Sequence, residues 1–197
     1  MTAVALRAGV EIGNPLELVL EFASTYPTYD AGVASGPASF GEADLRLANR
    51  GGARISAAEI AAILARRRTI ERALRAIAPA ASLAAETDAV PWAALTELFD
   101  AFAHIHGVGL AKMTKALHPK RPGLIPLLDS VVVAYLASDG PLPESFGERA
   151  IALVRRFKQD LDRNRSALDG LRREAAGRGY ELSEVRLLDM VIWSAFA

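Results

Sequence analysis

The sequence contains no cysteine. That absence excludes a disulfide framework, thiolate zinc or iron–sulfur ligation, and a cysteine nucleophile. Net charge is lacking too, because 23 basic side chains face 23 acidic ones. No global field steers an acidic partner, so any attraction to nucleic acid has to come from a local patch. No run reaches the roughly 18 uncharged apolar residues of a membrane span. The opening MTAVALRAGVEIG lacks a strongly basic start and carries Glu11, which argues against a secretory leader. No membrane partner is expected, and a cytoplasmic location is the simplest reading. Lysine is scarce, standing only at 112, 115, 120 and 158, so the three between 112 and 120 stand out. What is present, 51% hydrophobic and 23% charged residues over 197 positions, is the composition of a globular chain and not of a disordered one. The expectation is one compact helical domain over 1–197, or two lobes sharing a core with the cleft near 105–130.

The periodicity is helical nearly throughout, and the expected class is all-α, a helical bundle. Asn14 with Pro15 starts a helix over LELVLEFAST. The stretch from Tyr26 to Gly41 reads as loop, and EADLRLANR as a short helix closed by Gly51 and Gly52. Ser56 and Glu59 form a capping box opening one long helix to Pro79, with Ile60, Ile63, Leu64, Ile70, Leu74 and Ile77 at helical spacing. Pro91 opens PWAALTELFDAFAHI, and LAKMTKALH follows a GVG interruption. A short helix begins at LLDSVVVAYLA, and two charged amphipathic helices are expected over roughly 144–163 and 165–177. The last helix, SEVRLLDMVIWSAFA, takes Ser183 as its cap. No alternating run predicts more than an incidental strand.

The informative segment is LTELFDAFAHIHGVGLAKMTKALHPKRPGLIPLLDSVV: helix, Gly-Val-Gly hairpin, helix, Pro-bounded loop, and Asp129 at the head of a third helix. Gly107 and Gly109 permit backbone geometry that a Cβ would forbid, leaving Val108 and the following amides free to approach a ligand. Amides at a helix N-terminus favour an anion such as phosphate. No acidic residue stands between Asp100 and Asp129, while Lys112, Lys115, Lys120 and Arg121 do, a local charge of +4.

On these residues the chain resembles the helix-hairpin-helix superfamily of DNA glycosylases, most closely its oxoguanine-glycosylase-like branch. HGVGLAKMTKAL is similar to its hairpin and LIPLLDSVV to the segment carrying its catalytic Asp, 20 residues after Gly109. KRPGLIPLLDSVV and LLDMVIW also resemble a small uncharacterised bacterial family. The resemblance implies a helix-hairpin-helix motif, DNA as partner, Asp129 as catalytic carboxylate, and Gly107, Val108, Gly109, Lys112, Lys115, Lys120 and Arg121 as DNA contacts. It implies no cofactor and no metal. Superfamily members with lyase activity carry an amine two residues after the second glycine, and here that residue is Ala111, so monofunctional N-glycosidic hydrolysis of a modified base is expected. Met113 stands where the family usually has a small residue. A non-catalytic DNA- or protein-binding module, and a hydrolase of a nucleoside-like ligand, are the alternatives.

In glycosylase chemistry, positive charge develops on the anomeric carbon as the base leaves, and a nearby carboxylate stabilises it and orients the attacking water. The base is flipped into a pocket first, and Tyr26, Tyr29, Trp92, Tyr135 and Trp193 are candidate walls. His104 and His106 do not share a helical face, and His118 precedes Pro119, so backbone or DNA contacts suit them better than a metal. Arg66, Arg67 and Arg68, and the arginines from 149 to 178, are interleaved with acids and read as solvated faces. Leu187, Leu188, Val191, Trp193 and Phe196 read as a core stripe, with Asp189 beside it paired to a buried arginine. Asp44, Asn49 and Arg50 could share the Asp129 cleft, although capping or turn roles fit them better.

Overall fold

The computed structural model describes residues 3–25, 28–30 and 35–197. Among these, a two-residue antiparallel pair, β1 (Val4–Ala5) with β2 (Glu11–Ile12), precedes ten α-helices, and the fold is all-α as expected. The helices are α1 (Pro15–Thr25), α2 (Glu42–Arg50), α3 (Ala57–Ala65), α4 (Arg67–Arg75), α5 (Trp92–Asp100), α6 (Leu110–Leu117), α7 (Ser130–Ala137), α8 (Phe146–Arg163), α9 (Arg165–Ala176) and α10 (Glu184–Phe196).

Start signals in the sequence become real caps. Ser56 Oγ accepts from the Glu59 amide at 3.3 Å and Glu59 Oε2 accepts from the Ser56 amide at 2.8 Å, the reciprocal pair of a capping box. Ser183 Oγ accepts from the Arg186 amide at 3.1 Å. Two boundaries differ from expectation. The long helix after Ser56 is broken at Arg66 (φ −97°, ψ 7°) into α3 and α4. Ile63 and Ile70 are buried on either side, so the apolar spacing runs through the break without registering it. Helix α5 stops at Asp100, five residues before Ile105, the C-cap amide of Ala101 bonding the Glu97 and Phe99 carbonyls, and His104 beyond it takes a left-handed φ of 61° that no α-helix continues through. Asp100 Oδ1 accepts the Gly147 amide of α8 at 2.9 Å.

One apolar cluster extends from Val4 to Ile192. Helix α10 lies at its centre, packed on α1, α7, α8 and α9, while α5 runs along α8 and α2 rests on α6. Val185 to Ile192 are all buried in α10, whereas Trp193 is half-buried and Phe196 is 43% exposed. The expected core stripe therefore ends at Ile192. Beyond it Trp193 packs against Phe22 and Phe196 against Tyr135, both partly open to solvent.

Candidate active site around Asp129

Helix α10, the start of α7, the end of α6, and the turn after α1 converge on one cavity. Its lining is Phe22, Tyr29, Gly51, Lys115, Leu127, Asp129, Arg186, Asp189 and Trp193. Asp129 is the N-cap of α7: its Oδ1 accepts the amides of Val131 and Val132, both at 3.0 Å. That arrangement fixes the carboxylate and places its charge at the positive end of the helix dipole. Oδ2 has no hydrogen-bond partner among the described residues, which makes it the oxygen able to act. Asp129 is half-buried, neither sealed in the core nor fully in solvent.

Asp189 and Arg186 make the cavity's deep wall. They are three residues apart on α10, so they share a helical face, and Arg186 Nη1 donates to Asp189 Oδ2 at 2.6 Å. The expected pairing of Asp189 with a buried arginine is met. Arg186 is shared: Nε and Nη2 also donate to Asp30, at 2.8 and 3.1 Å. Burial pushes the Asp189 carboxyl up to about 7, Arg186 opposing the shift and Asp129 adding to it. The guanidinium also lies over the rings of Phe22 and Tyr29, at 5.2 and 5.6 Å from their centroids. Lys115 reaches the same space, and burial lowers its pKa against the pull of Asp129 and Asp189. Tyr29 is anchored by its hydroxyl, which donates to the Lys115 carbonyl at 2.8 Å. A side chain on Gly51 would place its Cβ 2.6 Å from the Tyr29 ring, so glycine is what lets α2 close against this wall.

Two of the expected aromatic walls, Tyr29 and Trp193, line the cavity; Phe22, unforeseen, stands edge-on to Trp193 at 5.0 Å. Trp92 lies elsewhere, donating to the Thr87 carbonyl under Arg155, and Tyr135 bonds Asp160 near the N-terminal segment. Tyr26 lies outside the described residues.

The basic patch needs correction. Lys120 and Arg121 are 3% and 1% exposed and face inward. Lys120 pairs with Asp44 at 2.5 Å and also donates to Ser35 and Gly36. Arg121 donates to four carbonyls, those of Pro37, Lys120, Leu74 and Ile77, at 2.6–2.8 Å. Neither can meet a phosphate. Their charges serve a polar junction where the end of α4 and the segment before α2 would otherwise leave carbonyls unsatisfied in the core. Lys112 is held by Glu59 at 2.6 Å. Of the four cationic side chains, the Lys115 ammonium alone has no hydrogen-bond or ion-pair partner among the described residues.

The Gly-Val-Gly segment between α5 and α6 also departs from expectation. Gly107 has φ +78°, the left-handed region that favours glycine, and a Cβ there would displace the Glu59 carboxylate. Gly109 is an extended N-cap (φ −96°, ψ −174°) with open space where a Cβ would be, a conformation any residue adopts. Val108 is 6% exposed and belongs to the core, so it cannot approach a ligand. His118 is buried with Nδ1 2.6 Å from the Ile125 carbonyl, a backbone contact, and burial lowers its pKa to about 4. Asp44 accepts the Gly41 amide, and Asn49 exchanges two bonds with Ile55, the capping and turn roles. Arg50 is exposed. Among the described residues no group of three His, Asp or Glu side chains is placed to hold a metal ion, and no helix is long and apolar enough to cross a membrane.

A family described as a family of unknown function, DUF6308, matches residues 20–196. The chain belongs to that family. Every residue lining the cavity falls within the span that matches DUF6308, whereas the β1–β2 ribbon precedes it. Comparison with curated proteins gives no match, and comparison with solved structures gives none. Arg186, like Phe22, is a cavity-lining residue that sequence reasoning did not single out. Its signal was the three-residue spacing to Asp189 on one face of an otherwise apolar helix.

Proposed function

We propose that this DUF6308 chain is a DNA-binding, glycosylase-like protein that hydrolyses the N-glycosidic bond of a modified base, with Asp129 as its central carboxylate. The observation that carries the reading is the Asp129 carboxylate, held rigidly by a helix start and facing an aromatic-walled cavity. A fixed carboxylate of this kind is suited to stabilise an oxocarbenium-like centre, since it needs no reorganisation when charge develops. The cavity, of about 40 Å³, has room for two or three waters and not for a base. It suits the attacking water. Phe22 and Trp193 also line a neighbouring groove of about 230 Å³ between α1 and α10, where a flipped base would stack.

Phosphate contact then falls to Lys115 and to the exposed Arg50 and Arg54 beside it, not to the buried Lys120 and Arg121. That thinner patch weakens duplex contact and keeps in view a second reading, a DNA- or protein-binding module without chemistry. Incubating the protein with duplexes carrying uracil, hypoxanthine, oxoguanine and alkylated purines separates the two. Free base released from at least one duplex is the expected result. Tight duplex binding with no base released from any would leave the binding module.

A further inference from the structure

Tyr29 and Arg186 wall two cavities. The second, of about 150 Å³, is completed by the turn after α1, the loop after α6 and the approach to α10, and Asp129 is not part of its lining. We propose that this second cavity binds a primary ammonium on a short apolar stem, received by His118 Nε2 and the carboxylates of Asp30 and Glu181. Such binding and base release are independent of one another.

His118 is 4% exposed, and its Nδ1 lies 2.6 Å from the Ile125 carbonyl. A carbonyl oxygen only accepts, so Nδ1 carries the hydrogen. Burial, with Arg186 acting in the same direction, lowers the ring's pKa to about 4 and keeps it neutral. Nε2 is therefore a lone pair. It has no hydrogen-bond partner among the described residues and is not among the sealed polar atoms, so it opens on the cavity that the ring lines. An acceptor without a protein donor takes its hydrogen bond from whatever occupies the space before it.

The side-chain donors of the wall are engaged. Tyr29 Oη donates to the Lys115 carbonyl, Ser183 Oγ to the Pro122 carbonyl at 2.7 Å, and Arg186 uses Nε and both Nη atoms on Asp30 and Asp189. Acceptors remain: His118 Nε2, the second lone pairs of Asp30, and Glu181, an exposed carboxylate without a side-chain partner among the described residues. Charge selects the same way. Asp30 and Glu181 line the cavity against one guanidinium, on which Asp189 also draws. An ammonium offers three donors, no acceptor and the balancing charge. An anion would meet two carboxylates and a guanidinium already engaged. Pro119, Pro122, Leu182 and the Tyr29 ring form the apolar wall, and the volume holds about ten waters, which an alkyl stem of about five carbons can replace.

The test titrates the intact protein with pentylammonium, with uncharged 1-pentanol and with anionic hexanoate, following the nitrogen-15 signals of histidine. Pentylammonium should bind at least about tenfold more tightly than 1-pentanol, the factor that a charge-assisted hydrogen bond supplies. It should move the His118 Nε2 signal upfield while Nδ1 holds, and hexanoate should not bind. Glu181→Gln, a change at an exposed position, should weaken pentylammonium about two- to fivefold, the range of an exposed ion pair, and leave 1-pentanol unchanged. No binding of pentylammonium, equal affinity for 1-pentanol, preference for hexanoate, or binding that leaves Nε2 unmoved would overturn the proposal. N-acetyl-lysine amide, titrated in the same way, separates two sources of the ammonium. Binding tighter than that of pentylammonium assigns the site to a lysine of a partner protein and weaker binding assigns it to a free amine, and both support an ammonium site.

Discussion

A Lys120→Met protein should be about 3–5 kcal/mol less stable than the wild type, as expected when one partner of a buried ion pair is removed and the other is left behind. Lys120 and Asp44 are both buried, and the methionine stem replaces the lysine's volume while leaving the Asp44 carboxylate without its cation. For a chain of this size the melting temperature should drop by about 6–20 °C. Arg121→Met should do as much, because four carbonyls lose their donor. Duplex affinity, measured in the cold where the variants remain folded, should stay within about twofold, since neither side chain reaches the surface where phosphates lie. Thermal melts and a binding titration on the same samples check both halves. A variant of wild-type stability that has lost affinity would return these residues to the phosphate surface.

The second large effect concerns Asp129. Asp129→Asn keeps a side-chain oxygen for the Val131 and Val132 amides, so the melting temperature should change little. It removes the charge that meets the developing cation, and base release should fall by about 100- to 1000-fold, the loss seen when a main electrostatic stabiliser is removed. Asp129→Ala should lose release to the same extent and also about 1 kcal/mol of stability, because the cap goes with the charge. Release rates and melts for the three proteins form one data set. An Asn variant as active as the wild type would reduce Asp129 to a helix cap.

What the sequence made legible follows from range. Caps and helical faces are local, so Ser56 with Glu59, Ser183, and Asp129 at the head of α7 could be placed from residues within one turn. The all-α class followed from periodicity alone. The environment of Lys120 and Arg121 could not be read in that way. Apart from the Lys120 carbonyl next to Arg121, their partners stand 44 to 85 positions away along the chain, and a lysine beside an arginine in a Pro-rich loop has the same local pattern whether it faces a phosphate or buried carbonyls. Helix–helix contact likewise decides the Asp129 cavity. Its aromatic wall joins α1 to α10, and its basic edge joins α6 to the turn after α2, pairings that no local pattern reveals. Asp189 was legible as an anomaly, a carboxylate in an apolar run. Its partner was not singled out, although Arg186 stood one turn before it.

The most direct measurement is the affinity of the protein for two duplexes that differ only at one abasic position, one carrying a cationic pyrrolidine and the other a neutral tetrahydrofuran. If Asp129 is poised to stabilise an oxocarbenium-like centre, the wild type should bind the pyrrolidine duplex at least about 100-fold more tightly, the lower end of transition-state-analogue preference, and Asp129→Asn should lose that preference while binding the tetrahydrofuran duplex as before. Equal affinity of the wild type for the two duplexes would contradict the account.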